Sequence, residues 1–355
     1  MNKFAKHLIN WYKHNGRKLP WRETRDPYTI WVSEIILQQT RISQGTAYFH
    51  RFIERYPNVS ELASADEHDV LKLWQGLGYY SRARNMLAAA KQVMNLFEGQ
   101  FPRTYKGLLQ LRGVGEYTAG AIASIAYNLP HAAVDGNALR VLSRFYAIDT
   151  PISSTKGKKL FSQLATEMVP KEAPGMFNQA IMDFGAMQCT PRSPDCPSCS
   201  LADMCLAYIK NRVQNYPVKE KKAKVRDRYM HYLFIRYKDD RLWLEKRNGQ
   251  DIWKNMYQLP LIESYEILLP EQVLRSKEWQ TIFYNAQVEV RSVSNEIIHM
   301  LSHRKIHAFF YEIQLIKGEV QHPAKPVYLK DIFNFAIPKL IENYLTEKIQ
   351  ITQSV

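Results

Sequence analysis

Apolar residues recur at three- and four-residue intervals through most of the first half of the chain. PYTIWVSEIILQQTRI, a segment from about Ser81 to Phe97, TAGAIASIAYNL, ALRVLSRFYAI, KGKKLFSQLATEMV and GMFNQAIMDFGAM all carry this helical period. The Ser81 segment ends at Gly99 with Pro102 close behind, as helix stops do. No strong β alternation precedes residue 208. Val218–Arg228 is a charge run without an apolar face and reads as a solvated linker. After it, RYMHYLFIRY, RLWLEKR, VEVRSV and HAFFYEIQLI are short, β-branched and aromatic, and they alternate. LKDIFNFAIPKLIENYL closes the chain as a helix. The pattern predicts a multi-domain protein: an all-α domain over 1–208, a linker over 209–228, and an α+β domain built on a sheet over 229–350. Neither an internal repeat nor a low-complexity segment is evident.

The 355 residues, 46% of them hydrophobic, suffice for two domains with real cores. MNKFAKHLINWYKHNG lacks the long apolar stretch of a signal peptide, and no run is long and apolar enough to span a membrane. The expectation is a soluble, cytoplasmic protein, nucleoid-associated in a bacterium. The net charge of +14 is unevenly spread. Residues 1–225 carry 30 Lys and Arg against 18 Asp and Glu, whereas residues 226–355 carry 18 against 16. A basic domain of this size faces a polyanion, most often nucleic acid; general solubility is the blander explanation.

All four cysteines fall in one stretch, CTPRSPDCPSCSLADMC, as Cys189, Cys196, Cys199 and Cys205. Four thiolates from one loop can wrap a single metal centre. Unequal gaps with only a middle CxxC favour a [4Fe–4S] cluster over zinc, which more often uses two CxxC pairs. Two disulfides are the bland alternative, and nothing else in the chain suggests an oxidising compartment.

LRGVGEYTAGAIASIA places Gly113 and Gly115 around Val114 just before a helix. Glycines permit a tight turn and close backbone approach, and the helix start offers N–H groups to an anion. Leu111 and Val114 can anchor the turn in the core. A dinucleotide fingerprint would need a preceding strand, and none is seen. Farther on, VDGNALRVLSR contains Asp135, with Gly136 and Asn137 capping the next helix; alone, Asp135 reads equally well as a plain carboxylate at a helix start.

LRGVGEYTAG, then VDGN, then the cysteine loop together resemble the helix-hairpin-helix DNA glycosylase superfamily, in its endonuclease III-like, iron–sulfur branch. LPWRETRDPYTIWVSEIILQQTRI resembles the adenine DNA glycosylase (MutY) family closely. The likeness covers most of residues 5–205 and extends more weakly across the second domain.

Glycosidic cleavage needs a proton for the departing base and negative charge near an oxocarbenium-like sugar. Glu34, among Trp31, Val32, Ile35 and Ile36, is the candidate acid, since burial would raise its pKa. The resemblance implies that Glu34 protonates adenine at N7 and that Asp135 stabilises the sugar cation, by a transient covalent bond or without one, and helps direct water. It implies that Asn137 supports this site and that Tyr117 contacts the catalytic pair. Tyr117 stands where endonuclease III-like enzymes carry a lysine nucleophile, so strand-cleaving lyase activity should be weak or absent. A target base must leave the stack before chemistry. The resemblance places Trp21 and Arg22 in the base pocket and makes Gln39, rather than Gln38, and Tyr79 wedges in the duplex. It implies that the cysteines hold a [4Fe–4S] cluster as a rigid DNA-contacting support, without electron transfer.

GQDIWKNMYQLPLIE resembles the family's C-terminal, Nudix-like domain. No glutamate-rich REx2EE-type helix is present, so this domain should recognise rather than hydrolyse. HMLSHRKIHAFF matches the loop that reads 8-oxoguanine opposite adenine. Leu301, Ser302 and His303 stand there, with Leu301 replacing the phenylalanine often found in the family. His307 reads as a strand histidine. A His299–His303–His307 metal site is set aside, because the segment reads as loop then strand. The leading expectation is a monofunctional, monomeric glycosylase removing adenine from duplex DNA opposite 8-oxoguanine or guanine. An endonuclease III-like enzyme acting on oxidised pyrimidines, a non-catalytic iron–sulfur DNA-binding protein and a working Nudix pyrophosphatase are the alternatives.

Overall fold

The computed structural model describes residues 1–220, 225–237, 240–301 and 304–353. The chain divides into two compact units, one of Met1–Ala65 and Asn85–Lys221, the other of Asp66–Arg84 and Lys222–Val355. Among the described residues no helix is long and apolar enough to cross a membrane.

The helices run in the order α1 (Lys3–Asn15), α2 (Pro27–Leu37), α3 (Ile42–Arg55), α4 (Val59–Ala63), α5 (Glu67–Trp74), α6 (Ser81–Leu96), α7 (Tyr105–Leu109), α8 (Glu116–Tyr127), α9 (Gly136–Phe145), α10 (Thr155–Met168), α11 (Pro174–Met187) and α12 (Leu206–Ile209). In the first unit α11 packs against α1, α8 and α9, and α2 packs against α3 and α8. The core gathers Phe4, Leu8, Leu142, Phe161, Phe177, Phe184 and Leu201. Two helices explain the site that follows. Asp26 caps α2 by accepting from the Tyr28 and Thr29 N–H groups, and Pro27 fills the first helical position. Tyr28 and every residue from Ile30 to Ile36 are then buried. A helix apolar all round must lie inside the fold, and α2 therefore carries Glu34 inside with it. α11 comes close to the start of α9 because Gly185 has no side chain: a Cβ there would stand 2.7 Å from Asn137 Cβ.

The second unit is a sheet of β1 (Arg226–Arg236), β2 (Arg241–Lys246), β3 (Tyr257–Gln258), β4 (Leu261–Ser264), β5 (Asn285–Val293), β6 (Ile297–Met300), β7 (Arg304–Glu319) and β8 (Lys325–Tyr328). The order is β3-β2-β1-β7-β5, with β4 on β1, β6 on β7 and β8 on β2. β1 and β7 are parallel from Arg226↔Arg304 to Arg236↔Gln314, and the other pairs are antiparallel. α13 (Pro270–Leu274), α14 (Lys277–Ile282) and α15 (Lys339–Gln353) complete the unit. Leu233, Ile235, Ile262, Trp279, Ile282, Tyr311 and Ile313 form a core beside the sheet.

The helical-then-sheet order follows the expected fold class, while the details differ in four ways. Residues 209–221 belong to the first unit, and β1 begins at Arg226, so a linker over 209–228 is too long. Residues 66–84 group with the second unit. There the Asn255 amide donates to Glu67 at 2.5 Å, Lys72 donates to the Phe335 carbonyl at 3.2 Å, and His68 accepts from the Ala336 N–H at 3.3 Å. Met230 to Ile235 are all buried, because a strand paired in parallel at the centre of a sheet is covered on both faces and loses its alternation. The last helix starts after Pro338 rather than at Leu329; Leu329–Asn334 is a 3₁₀ turn, since proline cannot continue a helix from the preceding residues.

Candidate active site and cysteine pocket

A cavity of about 930 Å³ opens in the first unit, lined by residues of α2, α8, α9 and α11 and by the turn after α2. Glu34 and Tyr117 both face it, one from α2 and the other from α8. Glu34 is 8% exposed, and the Tyr117 hydroxyl donates to its Oε2 in a short hydrogen bond. Burial pushes the Glu34 carboxyl up to about 7; the Tyr117 hydrogen bond works against this, nearby Asp135 adds to it, and Arg22 opposes it. The same burial, with Glu34 and Asp135 close by, raises the Tyr117 hydroxyl well above its ordinary value.

Asp135 is itself the N-cap of α9, correcting the expectation that Gly136 and Asn137 cap it. Its Oδ1 accepts from the Ala138 N–H at 2.7 Å, and its Oδ2 accepts from the Asn137 amide at 2.7 Å. Burial raises its pKa, with these donors and Arg140 pulling the other way. Asn137 is held in turn by Arg140, whose Nη2 donates to Asn137 Oδ1 at 2.8 Å and to the Gly185 carbonyl at 2.6 Å. The Arg140 Nε donates to the Cys189 carbonyl at 2.8 Å, so one guanidinium joins the cavity to the cysteine loop.

Trp21 is buried edge-on against Phe49, ring centroids 5.1 Å apart, and Arg22 lies beside it on the cavity wall. Arg22 forks onto Asp183 at 2.6 and 2.8 Å. Asp183, fully buried on α11, also takes the Arg17 backbone N–H at 2.9 Å and the Arg17 guanidinium. Asp183, Arg17, Gln179 and Met182 were not picked out from the sequence. Asp183 lies 161 residues from Arg22, Gln179 and Met182 sit on the same helix, and only the packing of α1 on α11 brings that helix to the Arg17–Arg22 segment. Gln39 adopts a left-handed φ of 58° at the cavity edge, while the Gln38 amide donates to Thr118 Oγ1 at 3.3 Å.

In the hairpin between α7 and α8, Gly113 has φ +77°, and a Cβ on it would lie 2.7 Å from Asn85 Cβ. Gly115 is extended and needs no such freedom. It starts α8 without a side-chain cap, so the first N–H groups of the helix stay open to an anion. Leu111 and Val114 are buried beneath the turn. Tyr79 lies in the second unit, half exposed, with φ 48°. Leu301 donates its N–H to the Arg304 carbonyl at 2.8 Å; Ser302 and His303 lie outside the described residues. His307 is on a strand, β7, where it is buried between two carboxylates.

Cys189, Cys196, Cys199 and Cys205 line one pocket with Val141, Phe145, Phe184 and Leu201, and none is in a disulfide. Among the described residues no three His, Cys, Asp or Glu side chains are grouped as ligands of a single ion. The donor set suits sulfur that carries charge. Arg144 Nη1 donates to Cys189 Sγ at 3.3 Å, and the Leu201 N–H donates to Cys199 Sγ at 3.4 Å. Burial raises the Cys199 thiol to about 11, and the other three cysteines add to that; a cationic centre beside it would favour its thiolate.

A helical domain with a glycine hairpin and two buried carboxylates in one cavity defines a helix-hairpin-helix DNA glycosylase. Residues 32–171 match the family described as HhH-GPD superfamily base excision DNA repair protein, and residues 231–347 match a NUDIX domain. The chain is 33% identical to the adenine DNA glycosylase of Buchnera aphidicola from Acyrthosiphon pisum, over 96% of this chain and 97% of that protein. It is 44% identical to the mouse adenine DNA glycosylase over 59% of this chain and 42% of that protein. Among solved structures, a thermostable thymine-DNA glycosylase superposes with a TM-score of 0.55 at 31% identity, covering 58% of this chain and 95% of that one. An endonuclease III trapped as a covalent DNA intermediate gives 0.51 at 22% identity, covering 58% and 94%, a likeness of fold alone. The chain belongs to the adenine DNA glycosylase family, and is a base-excision-repair enzyme.

Proposed function

We propose that the chain hydrolyses the N-glycosidic bond of adenine lying opposite 8-oxoguanine, and also opposite guanine, in duplex DNA. The observation that carries this is Glu34, buried beside Asp135 with its pKa near 7. At neutral pH a large share of it still carries a proton to give to a departing base, the task of a general acid. In this reading Glu34 protonates adenine N7. Asp135, fixed by the Ala138 N–H and the Asn137 amide, faces the developing sugar cation and directs water. Tyr117 holds the Glu34 carboxyl in place. Among the described residues no lysine lines the cavity, and in this reading Tyr117 at the hairpin position leaves the enzyme monofunctional.

Trp21 and Arg22 wall the pocket for the flipped base, Arg22 being held by Asp183. Gln39 and Tyr79 fill the gap that base leaves. The hairpin glycines and the open start of α8 receive the DNA backbone. The segment Leu301–Ser302–His303 reads the opposite base, where a serine hydroxyl can pair with the N7–H and O8 edge of 8-oxoguanine. The four cysteines hold a [4Fe–4S] cluster that stiffens the DNA-contacting loop, and the protein works as a monomer in the cytoplasm, at its DNA. The test is a duplex with adenine opposite 8-oxoguanine, incubated with the protein and then treated with alkali. The expected result is a break at the adenine. An intact strand refutes the proposal, and breakage without alkali refutes monofunctional action.

A further inference from the structure

The second unit contains a buried group that the roles above leave unused. His307 lies on β7, between β1 and β6, opposite Tyr229 on one side and Ile298 on the other. It is 7% exposed. Both ring nitrogens face carboxylates: Nε2 stands 2.8 Å from Asp227 Oδ1 on β1, and Nδ1 meets Glu296 Oε1 just ahead of β6. Tyr229 stacks on the ring, with centroids 4.6 Å apart and planes 23° apart. A neutral imidazole has one N–H and one lone pair, so it would satisfy one carboxylate and repel the other. The imidazolium donates to both.

Burial works against that charge and Lys305 on the same strand opposes it too, while the hydrogen bonds to Asp227 and Glu296 outweigh both and leave the pKa raised. The position is the second point. Met300↔Lys305 is the last strand pair before Leu301, whose N–H donates to the Arg304 carbonyl, and His307 lies two residues beyond Lys305 along β7, roughly 7 Å. The ring therefore ties together the three strands next to Leu301 and Arg304.

We infer that His307 is a positioning residue, whose doubly hydrogen-bonded ring clamps β1 and β6 to β7 and fixes the strand ends, Leu301 and Arg304, that flank the segment proposed to select the base opposite adenine. The inference rests on the lesion-reading role proposed above for that segment. Its consequence is that discrimination between 8-oxoguanine and guanine is greatest while the ring is charged.

The experiment measures single-turnover adenine release from both mispairs across the pH range, with full-length protein. The quotient of the two rates cancels the titration of Glu34, which is common to both. The wild-type preference should fall about ten-fold as the ring loses its proton. His307→Gln, with one donor and no charge, should show the low preference at every pH. His307→Lys, which keeps a cation, should recover part of it without the pH dependence. Nitrogen chemical shifts of the wild-type ring should show both nitrogens protonated at neutral pH, a readout that needs no variant to fold. A neutral ring, or a preference unmoved by pH and by His307→Gln, overturns the inference while leaving the lesion-reading segment intact. A wild type without any preference for 8-oxoguanine overturns both.

Discussion

Replacing Glu34 by glutamine should make the protein more stable as it makes it inactive, by an amount that grows with pH. The carboxyl has a folded pKa of about 7, against about 4.3 in an unfolded chain. Between those values the unfolded chain gives up its proton and the folded chain keeps it, so the folded state binds more protons. Stability therefore falls as pH rises through this window and levels off above pH 7. A shift of this size is worth about 3 kcal/mol at pH 8 and little at pH 4. Glutamine has no proton to lose, and its Oε1 can still accept from Tyr117. For a unit of this size the gain is about 5–10 °C in the first unfolding transition. The assay is calorimetry of wild type and Glu34→Gln from acid to pH 8, with adenine release measured alongside. Release should drop by at least a hundred-fold, while affinity for the duplex persists. A stability difference that does not change with pH, or a loss at pH 8, would refute the assignment of a buried, proton-holding Glu34.

Three further outcomes follow from the same geometry. Tyr117→Phe removes the hydrogen bond that opposes the upward shift of Glu34, so the basic limb of the pH–rate profile should move up; a limb that stays put would separate the two groups. Arg140→Gln removes one donor from Asn137 and one from the Cys189 carbonyl together, and should slow adenine release about ten- to a hundred-fold with duplex binding retained; an equal loss of binding would point to general unfolding instead. His231, fully buried beneath Phe309, has its pKa lowered by desolvation to about 4. The unfolded chain binds a proton there that the folded one refuses, so the second unit should lose stability as pH falls from about 6.5 toward 4; His231→Gln should flatten that slope in a pH series of melts.

The parts of the fold that follow from local chemistry were legible in the residues. The apolar period of α2 and the glycine hairpin are contained in short stretches of chain. So were Glu34, Asp135 and the four cysteines, because each sits in a motif. Features made by tertiary contact were not. Asp183 looks like any helical aspartate until the packing of α11 sets it under Arg17 and Arg22. His307 looks like a strand histidine until the register of β1, β7 and β6 places a carboxylate at each ring nitrogen. The continuous burial of β1 depends on its pairing with β7, which no pattern within β1 states.

The two carboxylates of the cavity show how that tertiary setting assigns their roles. Both are buried and both are raised, so burial alone does not say which one keeps a proton. The donors do. Asp135 sits at a helix start, where the Ala138 N–H and the Asn137 amide are both aimed at it, and Arg140 is close behind. Such donors favour the charged form. Glu34 lies in the middle of an apolar helix and receives one hydroxyl. In the proposed mechanism the proton therefore belongs to Glu34, and Asp135, with more donors aimed at it, serves as the anion. That distribution, an acid on one wall and an anion on the other, is the one that a departing base and a forming sugar cation each require.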